Sequence, residues 1–111
     1  MKALETKAKA AAAKYLEQTD RDIIDTSFLD RFLVFEDDGE LVFADVFCTT
    51  ADLSTEFPKV ERSVFEKAIY EYFSENPDIQ DMAIRYDTIE VFVINTSRAL
   101  IRHHIKAGFS D

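Results

Sequence analysis

Two apolar runs held apart by a short polar turn constrain this chain more than any other feature. "RFLVF" (31–35) and "LVFADVFC" (41–48) flank "DDGE" (37–40), and an Asp-Gly pair between apolar runs is the signature of a tight β-hairpin. The second arm is apolar throughout except for Asp45, which places a carboxylate inside what should be a buried strand. A charge there is costly unless something pairs with it, so Asp45 demands an explanation.

The remaining elements arrange themselves around that hairpin. "KALETKAKAAAAKYLEQ" (2–18) is rich in strong helix formers and predicts an amphipathic helix with Leu4, Ala8, Ala11, Ala12, Tyr15 and Leu16 on its inner face. "RDIIDTSFL" (21–29) reads as a first strand and "RFLVFED" (31–37) as a second. The segment 49–58 reads as an exposed loop. A helix follows from about 60 to 73, with Val60, Val64, Phe65, Ala68, Ile69, Tyr72 and Phe73 at helical spacing, and "ENPD" (75–78) stops it. "MAIRYDTIEVFVI" (82–94) alternates and is rich in β-branched and aromatic residues, as a long strand with a bend would be. The tail 98–109 is ambiguous by period and is read as a short strand pairing with the one before it. The order α-β-β-β-α-β-β predicts an α/β fold: one domain over 1–111, with a mixed central sheet of about five strands and helices packed on it.

Composition narrows the function classes. With 22 acidic against 13 basic residues the net charge is −9, which points away from generic nucleic-acid binding and its need for a cationic surface. The bases cluster at the ends, however: Lys2, Lys7, Lys9 and Lys14 in the first helix, and Arg98, Arg102 and Lys106 in the tail. If the ends meet, Lys9, Lys14, Arg98, Arg102 and Lys106 would form a basic patch; otherwise they are a solubilising surface. No signal-peptide pattern or bilayer-length apolar run is evident, and the single Cys48 excludes an internal disulfide, so a cytoplasmic protein without membrane contact is expected. Cys48 itself reads as a small apolar residue. His103 and His104 are adjacent and would face opposite sides of a strand, which excludes a joint metal site.

In this order, the segments resemble the YraN family, small bacterial proteins of the restriction-endonuclease-like, PD-(D/E)XK class. "AAAAKYLE" (10–17) resembles the end of the family's first helix, and "DDGELVFADVF" (37–47) its hairpin with a closing Val-Glu-Val-Lys core. "AIYEYF" (68–73) is similar to the end of its second helix, "RYDTIEV" (85–91) to its Arg-Phe-Asp-Val-Val strand, and "HIKAGF" (104–109) to its closing His-Ile-x-Asn-Ala-Phe. The resemblance implies a restriction-endonuclease-like domain. In active members, it further implies carboxylates that hold Mg²⁺ and a lysine that orients the attacking water.

Carried over residue by residue, the resemblance fails where that chemistry lies. The family's strand Glu falls on Asp45, its Lys on Phe47, and its first-helix Glu on Lys9. The Asp of its Gly-Glu-Ile-Asp segment falls on Phe32, and only a local shift would put Asp30 there. The expectation is therefore no intact catalytic set and no bound metal, with Asp45 a buried acid satisfied by hydrogen bonds or sitting at the sheet rim, and Phe47 a core residue. The function expected is that of a catalytically inactive nuclease relative retained as a binding or assembly module. A protein partner or self-association is favoured over strong DNA binding. The alternatives are a divergent Mg²⁺-dependent DNA endonuclease, or Holliday-junction-resolvase-like enzyme, using Asp45, Asp30 and a lysine migrated to Lys9 or Lys14, and a protein-interaction or homodimerisation domain.

Overall fold

A computed structural model of the chain describes residues 2–49, 60–78, 82–95 and 98–108, with the side chains described from residue 6 onward. The elements run α1 (Lys2–Gln18), β1 (Asp22–Phe28), β2 (Phe32–Asp37), β3 (Glu40–Thr49), α2 (Arg62–Glu75), β4 (Ala83–Asn95) and β5 (Arg98–His104). This is the α-β-β-β-α-β-β order, and the strands form one mixed sheet in the order β1-β2-β3-β4-β5. Neighbours are antiparallel except for β3 and β4, whose parallel pairing requires a crossover, and α2 lies in that connection.

Each helix covers one face of the sheet, which is why the central strands are nearly continuous apolar runs. Phe32 and Val34 of β2, Leu41 and Phe43 of β3 and Tyr86 of β4 pack with Phe65, Ala68 and Tyr72 of α2. The intervening Leu33, Phe35, Val42, Ala44, Ile89 and Val91 pack with Ala8, Ala12 and Leu16 of α1. Alternation along each strand thus feeds two cores at once. Phe43 anchors the α2 side, its ring meeting Phe28, Phe32, Phe65 and Tyr72 edge-on.

The turns follow from local chemistry. Asp38 (φ 53°) and Gly39 (φ 79°) close the β2–β3 hairpin with two residues in the left-handed region, as a two-residue turn matched to strand twist requires. Helix α1 ends on Asp20 (φ 62°), with the Arg21 N–H donating to the Leu16 carbonyl and the Asp20 N–H to that of Glu17, a Schellman closure. The Asn76 backbone and side chain both donate to the Tyr72 carbonyl and finish α2.

Several details differ from the sequence reading. Helix α2 begins at Arg62 rather than 60, and Val64 is exposed because its turn faces away from the sheet. Val60 is buried, but ahead of the helix. The last strand stops at His104, since Lys106 takes a left-handed conformation (φ 58°) and the Ala107 N–H donates instead to Tyr86. The inner-face position Leu4 and positions 50–58 of the expected loop 49–58 fall outside what is described, whereas Thr49 belongs to β3 and closes it.

Since Phe43 touches four rings, Phe43→Ala should lower stability by roughly 3–5 kcal/mol. By contrast, Tyr70→Ala, at a side chain 78% exposed, should change it by less than about 0.5 kcal/mol. Urea denaturation of the two variants measures both.

Candidate functional site

Asp45 sits in the middle of β3, paired in register with Thr88 of β4 and on the same face as Phe43, towards α2. It is buried, and both oxygens are engaged. Arg31 donates from Nε to Oδ1 at 2.7 Å and from Nη2 to Oδ2 at 2.9 Å, while the Tyr86 hydroxyl donates to Oδ2 at 2.5 Å. A two-pronged guanidinium fork of this kind is among the strongest carboxylate partners a protein offers.

The chain path explains how Arg31 arrives there. Leu29 (φ 55°) and Asp30 (φ 56°) both take the left-handed conformation between β1 and β2, and the Arg31 N–H donates to the Phe28 carbonyl. That conformation is unfavourable for leucine, so the turn carries strain that the anchored arginine offsets. The Arg31 guanidinium also lies over the Phe32 ring, 5.0 Å from its centroid. The hydrogen bond to Asp45 raises the Arg31 pKa further. Burial, and then the bond to Asp45, push the Tyr86 phenol far above its ordinary value.

This donor set does not fit a divalent cation, which needs several carboxylate oxygens free to coordinate. The one buried acid at this position already holds a guanidinium, and Asp30 is exposed in the turn. Among the described residues no three His, Cys, Asp or Glu side chains converge as a metal site. Phe47 is half-buried rather than a full core residue. Lys9 and Lys14 both belong to α1, on the opposite face of the sheet from Asp45.

A second carboxylate, not singled out from the sequence, is more deeply placed. Asp87 of β4 is fully buried on the α1 face. Arg85, two residues earlier and therefore on the same face, donates Nε to Oδ1 and Nη2 to Oδ2, each at 2.9 Å. The Lys106 backbone N–H donates to Oδ1 at 3.1 Å, and His103 Nε2 lies 2.6 Å from Oδ2. Since a carboxylate only accepts, Nε2–H donates to it; in the neutral ring Nδ1 then accepts from the Tyr15 hydroxyl at 2.8 Å. Arg85 also reaches Asp37 and Glu40 across the β2–β3 hairpin, and Arg21 pairs with Asp37. Burial pushes the Asp87 carboxyl up, but the bonds from His103, Arg85 and the Lys106 N–H outweigh it and hold it below the usual range. Asp37 is likewise held low: burial raises it, and Arg85 and Arg21 more than compensate. Arg85 and Asp87 could have been paired from the sequence by their two-residue spacing in "RYD".

The five bases named from the sequence do not form one patch. Lys14 and Arg98 line a common groove between α1 and the β4–β5 pair, together with Lys7. Lys9 donates to Ser27 on β1, Arg102 pairs with Glu90 at 3.6 Å, and Lys106 borders a depression near Arg62 and Glu66. His104 pairs in register with Thr88 on the α2 side, whereas His103 faces α1; Cys48 packs, partly buried, against the α1 core.

No protein-family model matches the chain, and no curated protein matches it in sequence. Among the described residues, no helix is long and apolar enough to cross a membrane.

The depressed carboxyls set the acid response. A group held below its unfolded value adds stability that is complete above the unfolded pKa of about 4 and disappears as pH falls through the folded value. Native stability should therefore drop steeply in acid. Asp87→Asn, which leaves Arg85 and His103 without their buried anion, should cost roughly 3 kcal/mol or more at neutral pH and flatten that acid limb. Denaturant midpoints recorded across the acid range for both proteins measure this.

Proposed function

We propose that this chain is a catalytically silent relative of metal-dependent nucleases, retained as a binding or assembly module. The observation that carries the reading is the Arg31 fork on Asp45, the residue onto which the YraN-like resemblance maps the metal-holding strand acid. A cation has no free oxygen to take there unless Arg31 leaves, and leaving would strand a buried charge. Phe47, at the position of the family lysine, supplies neither a donor nor a charge to orient water.

A second reading, a protein-interaction or self-associating domain, draws support from exposed Tyr70 and Leu100 and from a net charge of −9 that repels nucleic acid. It is compatible with the first. The divergent-endonuclease alternative requires a lysine near Asp45, and Lys9 and Lys14 lie across the sheet from it.

The purified protein, incubated with Mg²⁺ or Mn²⁺ and with duplex, single-stranded or branched DNA, should cleave none of them. Calorimetry should record no Mn²⁺ binding at millimolar metal. Metal-dependent cleavage that Asp45→Ala abolishes would falsify the reading.

A further inference from the structure

Tyr15, His103 and Asp87 stand in series on the α1 face of the sheet, each bonded to the next. The Tyr15 hydroxyl donates to His103 Nδ1 at 2.8 Å, and His103 Nε2–H donates to Asp87 Oδ2 at 2.6 Å. Asp87 is held in turn by Arg85 and by the Lys106 N–H. The His103 side chain is 5% exposed, and its ring meets those of Tyr15 and Phe35 edge-on, so the imidazole is fixed in place. A hydroxyl, a base and an acid that orients the base are the parts of an activated nucleophile, here with both hydrogen bonds at working distance. The series runs from a fully buried carboxylate to a tyrosine that is only partly buried and lines a groove of about 510 Å³ between α1 and the β4–β5 pair. Val93, Ala99 and Ile101 give that groove apolar walls, and Lys7, Lys14 and Arg98 give it positive charge.

We propose that Tyr15 is a nucleophile towards activated carboxylic esters with an apolar acyl group and an anionic leaving group, with His103 its general base and Asp87 a positioning residue. Attack forms a bond from Tyr15 Oη to the acyl carbon and breaks the bond from that carbon to the leaving oxygen. His103 Nδ1 takes the phenol proton and returns it to the leaving oxygen, and Asp87 stabilises the imidazolium in between. Water, deprotonated by the same nitrogen, then cleaves the tyrosyl ester to a carboxylic acid and restores the phenol. The apolar walls suit the acyl group, and the two lysines and Arg98 suit the anion. The inference goes beyond the silent-nuclease reading: it invokes no metal, and Tyr15 and His103 lie across the sheet from Asp45.

The probes are para-nitrophenyl butyrate and the same ester with a carboxylate on the nitrophenyl ring, mixed with the full chain. Nitrophenolate should appear in a burst of about one equivalent, and peptide mass spectrometry should find the butyryl group on Tyr15. The carboxylate-bearing ester should react about fivefold or more faster at low salt, an advantage that high salt removes. Tyr15→Phe should abolish the burst, and His103→Gln should slow it about a hundredfold or more, with each fold checked by circular dichroism. If His103→Gln does not fold, Tyr15→Phe, which keeps the ring, carries the test. Nitrogen resonances of the parent should place the His103 proton on Nε2, and Asp87→Asn should move it to Nδ1 and stop the burst. No release above the buffer rate at millimolar ester, acylation of lysines with none on Tyr15, an unslowed burst in a folded His103→Gln, or a parent His103 protonated on Nδ1 would each overturn the inference. DNA cleavage is a separate readout, so the silent-nuclease reading can fail while this one stands, and the reverse.

Discussion

Everything in this fold must accommodate two carboxylates placed in adjacent central strands, one on each face of the sheet. Asp45 in β3 faces α2 and Asp87 in β4 faces α1, and each holds an arginine in a two-pronged grip. Isolated, either charge would be too costly to bury; paired, each becomes a geometric constraint, since its partner must be delivered at a fixed distance and angle. The β1–β2 turn takes a strained left-handed path that brings Arg31 to Asp45. The end of β5 and the turn beyond it bring His103 and the Lys106 N–H to Asp87.

The two sites differ in what they do for the molecule. Around Asp87, Arg85 reaches the β2–β3 hairpin and His103 reaches Tyr15 of α1, so one polar network ties together β4, β5, the hairpin and the first helix. Asp45 itself is held from the β1–β2 turn by Arg31 and from β4 by Tyr86, and the Arg31 side chain remains partly in water, 42% exposed. Asp87 therefore ties more elements of the fold together than Asp45 does.

Much of the architecture was legible in the residues. The Asp-Gly turn between apolar runs located the hairpin, helical spacing located α2, and alternation located β4, because each rests on local backbone preference or on a simple period. The need of Asp45 for a partner was legible too, but Arg31 was not, because a Leu-Asp pair does not announce two consecutive left-handed residues. Asp87 is hard to read for a related reason: strand alternation is conspicuous in the apolar residues of β4, whereas the same period, which puts Arg85 and Asp87 on one face, carries no hydrophobic signature. Helical spacing alone does not say that Val64 faces water, because the apolar positions in α2 outnumber what one face of it can bury. The five bases cluster at the two ends of the sequence, yet the fold distributes them over several surfaces, and of the five Lys14 and Arg98 share a groove.

The central claim is that Asp45 is kept for its arginine and not for chemistry, and a double-mutant cycle between Arg31 and Asp45 tests it most directly. Stabilities of the parent, Arg31→Ala, Asp45→Ala and the double variant should show both single changes destabilising. The double variant should cost less than their sum, with a coupling of about 1–3 kcal/mol. An acid retained for catalysis behaves in the opposite way, its removal often relieving strain. A neutral or stabilising Asp45→Ala, with coupling near zero, would contradict the account.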